Sequence, residues 1–189
     1  MIFVVIFFRK EVKFMKAYNL IVVGGGLSGV AAAVSAARQG LKVLLIEQSG
    51  SLGGAMSNSL VFPFMPYWTM DNGTKKYLST GIFTEMQKRV TKYTGAHNDM
   101  NFDPEYFKLV LDDMVTEAKV SVLFHATLFE VKTQDRIIES VTVATKSGPI
   151  TFDADFFIDT TGDGDLLALA GCSYQLGRER DGYCQPMTT

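Results

Sequence analysis

Residues 18–29 read Tyr-Asn-Leu-Ile-Val-Val-Gly-Gly-Gly-Leu-Ser-Gly, and residues 41–47 read Leu-Lys-Val-Leu-Leu-Ile-Glu. Between them lies a small-residue segment, Ala31-Ala32-Ala33-Val34-Ser35-Ala36-Ala37, closed by Gly40. The order is strand, glycine turn, helix and second strand ending in an acid, which is the pattern of a dinucleotide-binding βαβ unit. Gly24 permits the tight turn, Gly26 lets backbone approach a pyrophosphate, and Gly29 lets the helix pack on the sheet. Leu27 and Ser28 open the helix, whose unpaired N–H groups and dipole favour a diphosphate. Glu47 stands where a carboxylate grips a ribose hydroxyl, and its charge disfavours a 2′-phosphate.

The chain has 189 residues, is 47% hydrophobic and carries a formal net charge of −2. That size and composition suit one domain, or one and a fraction, with a sizeable core. Lys and Arg are scattered rather than striped, so no nucleic-acid partner is expected. Cys172 and Cys184 have neither a redox-pair nor a cluster spacing, and a reducing cytoplasmic setting is expected. Met1–Phe8 is apolar and followed by charge, but it is too short to span a bilayer and lacks signal-peptide order. Residues 1–16 are therefore expected to be an extension irrelevant to function, with no membrane association, and 17–189 to be the domain.

Further along, an irregular apolar stretch covers Leu60–Trp68, a turn falls at Asp71-Asn72-Gly73, and a helix is expected over Thr80–Tyr93. Asp103-Pro104-Glu105 is a helix start: an N-cap acid, proline at the first helical position and an acid in the first turn. Strands are expected at Val120–Phe124, Leu128–Val131, Ile137–Thr145 and Ile150–Phe152, forming a small antiparallel meander. Phe156–Asp159 reads as a separate buried parallel strand that runs into Thr160-Thr161-Gly162-Asp163-Gly164-Asp165 and a short helix, Leu166–Ala170. The fold class is α/β: a Rossmann-like domain with a central parallel sheet, an N-terminal βαβ unit and the meander.

Glu47 followed by Gly53-Gly54, the meander, and the strand ending in Asp159-Thr160-Thr161-Gly162-Asp163-Gly164-Asp165 together resemble the FAD-dependent oxidoreductases of the glutathione-reductase-like class. Within it the chain looks like the branch related to the heterodisulfide reductase A subunit, over about residues 17–187. The resemblance implies non-covalent FAD, hydride transfer through flavin N5, and an unidentified small-molecule substrate. It assigns Gly24, Gly26 and Gly29 to the ADP diphosphate, Glu47 to the adenosine ribose, and Gly53-Gly54 to a close pass by the ribityl-diphosphate. It also assigns Thr161, Gly162 and Asp163 to the turn beside the nucleotide and the strand around Leu128 to adenine. An iron–sulfur or redox partner is implied by the resemblance alone.

Departures matter too. The segment after Gly53-Gly54 is Ala55-Met56-Ser57-Asn58-Ser59-Leu60, without the CxxxxC pair of the disulfide reductases, so dithiol chemistry is excluded there. The final strand and helix of the family's flavin site are not seen before Thr189, so the chain is expected to be the N-terminal part of a longer enzyme. Two alternatives stand beside the main reading: a catalytically inactive dinucleotide-binding fragment and an NAD-dependent dehydrogenase. No catalytic side chain is assigned and no metal is expected. Asp159, Asp163 and Asp165 fit a nucleotide-binding turn better than a calcium loop, because Ala170 stands where that loop needs its last carboxylate. Phe62–Trp68 is read evenly as pocket wall or core, His125 as structural, and Cys172 as a buried small hydrophobe.

Overall fold

A computed structural model describes residues 17–65, 67–94 and 101–184. The N-terminal extension, His97 and the closing Gln185-Pro186-Met187 lie outside the described residues. The chain order is β1 (Tyr18–Val23), α1 (Leu27–Arg38), β2 (Val43–Ile46), a hairpin β3 (Trp68–Asp71) and β4 (Thr74–Tyr77), α2 (Ile82–Thr94) and α3 (Pro104–Glu117). There follow β5 (Ser121–Leu123), β6 (Thr127–Gln134), β7 (Ile137–Thr145), β8 (Gly148–Asp159) and α4 (Asp165–Leu169). A six-stranded sheet runs in the order β5-β2-β1-β8-β7-β6, and β3-β4 stand apart.

Alternation along β1 and β2 builds two cores, since successive side chains leave a strand on opposite faces. Leu20, Val22, Val43 and Leu45 meet Val30, Val34, Phe107, Leu111 and Met114 on the helix face. Ile21, Val23, Leu44 and Ile46 meet Ile138, Val141, Val143 and Phe157 on the other. The molecule is thus layered as helices, parallel sheet and meander. The N-terminal βαβ unit and the start of α3 stand as expected: the Asp103 side chain accepts from Glu105 N at 2.8 Å with Pro104 in the first turn.

Three expectations are corrected. Val120–Phe124, expected in the antiparallel meander, forms β5 and pairs parallel with β2 from Ser121 to Leu123 at the opposite edge of the sheet, because α3 is the crossover that delivers it there. Ile150–Phe152 and Phe156–Asp159 are halves of one strand, β8. Its first half pairs antiparallel with β7 from Gly148 to Asp153, and its second pairs parallel with β1 from Ala154 to Asp159. The polar Asp153 and Asp155 suggest a break, but they straddle the point where the strand changes partner, and Ala154 between them is fully buried. The turn at Asp71-Asn72-Gly73 also has strands on both sides. Asn72 and Gly73 both have positive φ (48° and 78°), as a two-residue hairpin turn requires. These strands escape sequence reading because most of their residues face solvent, leaving no apolar alternation to detect.

The stretch Phe62–Trp68 divides. Phe64 and Tyr67 are buried and pack on Phe83, and Phe64 also meets Phe102 and Phe107, while Phe62 is half exposed. None of the described aromatics of this stretch lines the groove below, so core packing accounts for its inward side. Cys172 is half-buried rather than buried. Among the described residues, no helix is long and apolar enough to cross a membrane.

Candidate functional site

At the carboxyl ends of β1, β2 and β8, the N-terminus of α1 faces a groove of about 760 Å³. Open α/β sheets bind ligands at this end. The groove brings together Gly24, Gly26, Leu27, Ser28, Glu47, Gly53, Gly54, Leu128, Thr161, Gly162 and Asp163. Gly29 alone among the residues singled out from sequence stands behind it.

The three motif glycines answer different demands. Gly24 has φ +105°, and a Cβ there would lie 2.3 Å from the Thr160 carbonyl oxygen. At Gly29 a Cβ would lie 1.8 Å from the Gly24 carbonyl oxygen, so α1 touches the turn with no room for a methyl group. Gly26 differs, for a Cβ there would meet nothing within 4 Å. Its backbone, φ −67° and ψ −177°, suits any residue. The protein's own packing therefore does not require glycine at position 26, and a side chain would project into open space where α1 begins. No side chain caps α1, and its first internal bond is Val30 N to Gly26 O at 2.9 Å. The amides before Val30 have no partner within the helix. This cradle fits a diphosphate.

Gly53 and Gly54 lie against the turn. Gly53 bridges Gly26 in parallel fashion, with Gly53 N donating to Gly25 O at 2.9 Å. Position 53 has φ +108°, and a Cβ would lie 2.5 Å from Ser57 Oγ; position 54 has φ +55°, and a Cβ would approach Gly26 Cα at 3.1 Å. Both glycines are thus demanded by the protein itself, beyond any demand a nucleotide adds.

Glu47 is buried, and its carboxylate accepts from Gly25 N at 2.6 Å and Ser49 N at 2.7 Å. Each oxygen spends one lone pair this way and retains another for a ribose hydroxyl. The acid therefore also fixes the glycine turn against the loop after β2. Gly25 was not singled out in the sequence, although it is the middle of three consecutive glycines. A Cβ there would lie 2.7 Å from Leu52 Cδ2 and 2.8 Å from Glu47 Oε2.

Thr160 was missed as well. Its hydroxyl lies 2.8 Å from the carbonyl oxygens of both Val23 and Gly24, and its N–H donates to Val23 O at 2.8 Å. It clamps the end of β8 to the end of β1. The first of two adjacent threonines after an apolar strand was the available signal. Thr161 turns the other way: its hydroxyl donates to Asp159 Oδ1 at 2.8 Å and accepts from Gly164 N and Asp165 N. Buried Asp159 also accepts from Leu167 N at 2.8 Å, so this carboxylate is spent on ordering the turn and α4. Leu128 lies on β6 opposite Val143, at the groove's far wall.

The charge around the groove is unusual for a phosphate site. Glu47, Asp163 and Asp165 line it, without a Lys, Arg or His among the lining residues. Burial, helped by Asp163 and Asp159, raises the pKa of the Asp165 carboxyl. Backbone N–H groups and the α1 dipole are therefore the positive elements available to a diphosphate. His125, with φ 52°, places its ring over Gly50 and donates its N–H to Ser49 O, in line with a structural role.

A mostly parallel sheet with helices on one face and the meander on the other, with this groove at its carboxyl end, defines a Rossmann-like nucleotide-binding protein. Residues 19–189 match the family described as FAD dependent oxidoreductase, and the chain belongs to that family. FAD is the cofactor of this family, and the groove's glycines and acid suit its adenine-dinucleotide part. Glutathione reductase from Schizosaccharomyces pombe is 44% identical over 55 residues, 29% of this chain and 12% of that protein. Dihydrolipoyl dehydrogenase from Trypanosoma brucei brucei is 43% identical over 51 residues, 27% of this chain and 11% of that one. These matches thus span about a tenth of each curated relative. Among solved structures, L-proline dehydrogenase from P. horikoshii aligns with TM-score 0.61 at 14% identity, covering 85% of this chain and 57% of the other. Thermovibrio ammonificans THI4 aligns with TM-score 0.56 at 17% identity, covering 86% and 66%. At such identities the likeness is one of fold.

Proposed function

We propose that this chain holds FAD non-covalently in the groove and serves an oxidoreductase reaction on a small-molecule substrate. The observation that carries the reading is the open space in front of Gly26 at the uncapped start of α1. Bound FAD would supply hydride chemistry at its flavin ring. The chain's own residues bind and orient: the first amides of α1, at Leu27 and Ser28, receive the diphosphate, and the remaining lone pairs of Glu47 receive the ribose hydroxyls. The backbone around Leu128 receives the adenine. Asp163 and the Thr161-Gly162 turn, ordered by Asp159, close the opposite wall. Within the family, the turn Asp159–Asp165 and the lack of a CxxxxC pair after Gly54 favour the branch related to the heterodisulfide reductase A subunit.

The test is FAD titration by flavin fluorescence on the wild type and on Gly26→Val. The variant should fold, since the backbone at position 26 suits any residue and an added Cβ there meets no protein atom within 4 Å, and should lose at least about tenfold in affinity as its side chain enters the diphosphate's path. Equal affinity in the two proteins would refute the assignment of the groove.

A further inference from the structure

The opposite end of α1 carries a second cavity, of about 720 Å³, between the β3–β4 hairpin and α2. Glu85 lines it, and Arg38, the last residue of α1, grips Glu85 by two bonds of 2.6 and 2.8 Å. A helix of 12 residues is about 18 Å long, so this cavity is about that far from the glycine turn. One wall is aromatic: Tyr67 and Tyr77 stack with centroids 6.1 Å apart. The Lys75 ammonium lies 5.2 Å from the Tyr77 ring centroid and 4.7 Å from that of Trp68. The other wall is one stripe of α2, where Thr84, Lys88 and Lys92 follow one another at the four-residue spacing that aligns side chains.

The charges here are not matched. Glu85 is fully engaged by Arg38 and Arg89, and Arg89 also holds Glu117. Lys88 and Lys92 are exposed and make no ion pair with a described residue. Like charges four apart weaken a helix slightly, and nothing among the described residues offsets them. The cavity is far larger than an inorganic ion requires, and its aromatic wall suits an apolar body.

We propose that this cavity binds a small organic anion, its phosphate or carboxylate between Lys88 and Lys92 and its apolar ring against the Tyr67–Tyr77 wall, as a site separate from the FAD groove. Trp68, the sole tryptophan of the sequence, pairs with Tyr77 across the hairpin and reports on that wall.

The full chain should be titrated with phenyl phosphate while Trp68 emission is followed, with and without saturating FAD. Phenol and inorganic phosphate serve as the comparison probes. Saturable binding of phenyl phosphate is expected in both forms, at least about tenfold tighter than either comparison probe, because charge and ring must both be met. Lys88→Ala/Lys92→Ala should weaken it at least about tenfold while leaving circular dichroism and FAD titration unchanged. Absence of saturable binding, equal binding of phenol or inorganic phosphate, or undiminished binding by the double variant would overturn the proposal. Displacement of phenyl phosphate by FAD would overturn it too, by locating the probe in the groove.

Discussion

The two ends of α1 are built from different materials. At its N-terminus nearly every contact is backbone: Gly24, Gly29 and Thr160 meet through carbonyl oxygens, and the acid beside them, Glu47, bonds two amides. At its C-terminus the contacts are long side chains, Arg38, Glu85, Arg89 and Glu117, tying α1, α2 and α3 together on a partly exposed surface. Backbone contacts at van der Waals limits tolerate no added atom, whereas exposed ion pairs can lose a partner to water at modest cost. The contrast makes the first end, Gly26 apart, intolerant of substitution and the second forgiving.

The sharpest way to break this contrast is Gly29→Ala. Its Cβ would fall 1.8 Å from the Gly24 oxygen, so α1 must move, and a loss of about 3 kcal/mol or more is expected in chemical denaturation. A loss below about 1 kcal/mol would mean that the turn yields easily. Next comes Glu47→Gln, which replaces one of two accepting oxygens by an NH2 group facing a backbone donor. It should cost about 1–3 kcal/mol of stability and weaken FAD, measured by denaturation and titration on the same samples. Unchanged stability would show that the Gly25 and Ser49 amides find other partners.

Thr160→Val keeps the shape and removes the hydroxyl between two carbonyls. About 1 kcal/mol is expected, since the Val23 carbonyl keeps its bond from the Thr160 amide while the Gly24 carbonyl loses the hydroxyl. The far end should respond to pH. Arg38 first, and then Arg89, hold the Glu85 carboxyl at about 2, below its ordinary 4.5. A lowered folded-state pKa adds stability that is complete above about 4.5 and drains away as pH falls toward about 2. Because the pair is partly exposed, the contribution is about 1 kcal/mol or less, and Glu85→Gln should remove that part of the acid sensitivity. An identical pH profile in the variant would assign it elsewhere.

The same contrast explains what could be read in advance. Gly24 and Gly29 are legible because sterics allow nothing larger, and Glu47 because one acid ends an apolar strand. Residues 18–47 and 103–117 accordingly stand where their patterns place them. Thr160 and Gly25 carry only weak signals in the sequence, because their partners lie across the sheet or depend on a neighbour's rotamer. The α2 network was hidden because charged residues on a helix read as a solvated face until three helices bring them together. The continuity of β8 was hidden by Asp153 and Asp155, whose polarity marks an exchange of partners rather than an end.

That continuity bears on the order in which the molecule can be made. The hydroxyl of Thr160 clamps a turn 136 residues earlier in the chain, and the strand delivering it first pairs with the meander. Contacts of such separation form late, after the intervening loop entropy has been overcome. During synthesis the glycine turn emerges early but stays unclamped until β8 has been made and threaded beside β1. The groove is thus among the last features to acquire its final shape, so nucleotide that binds only the finished groove selects chains whose sheet is complete.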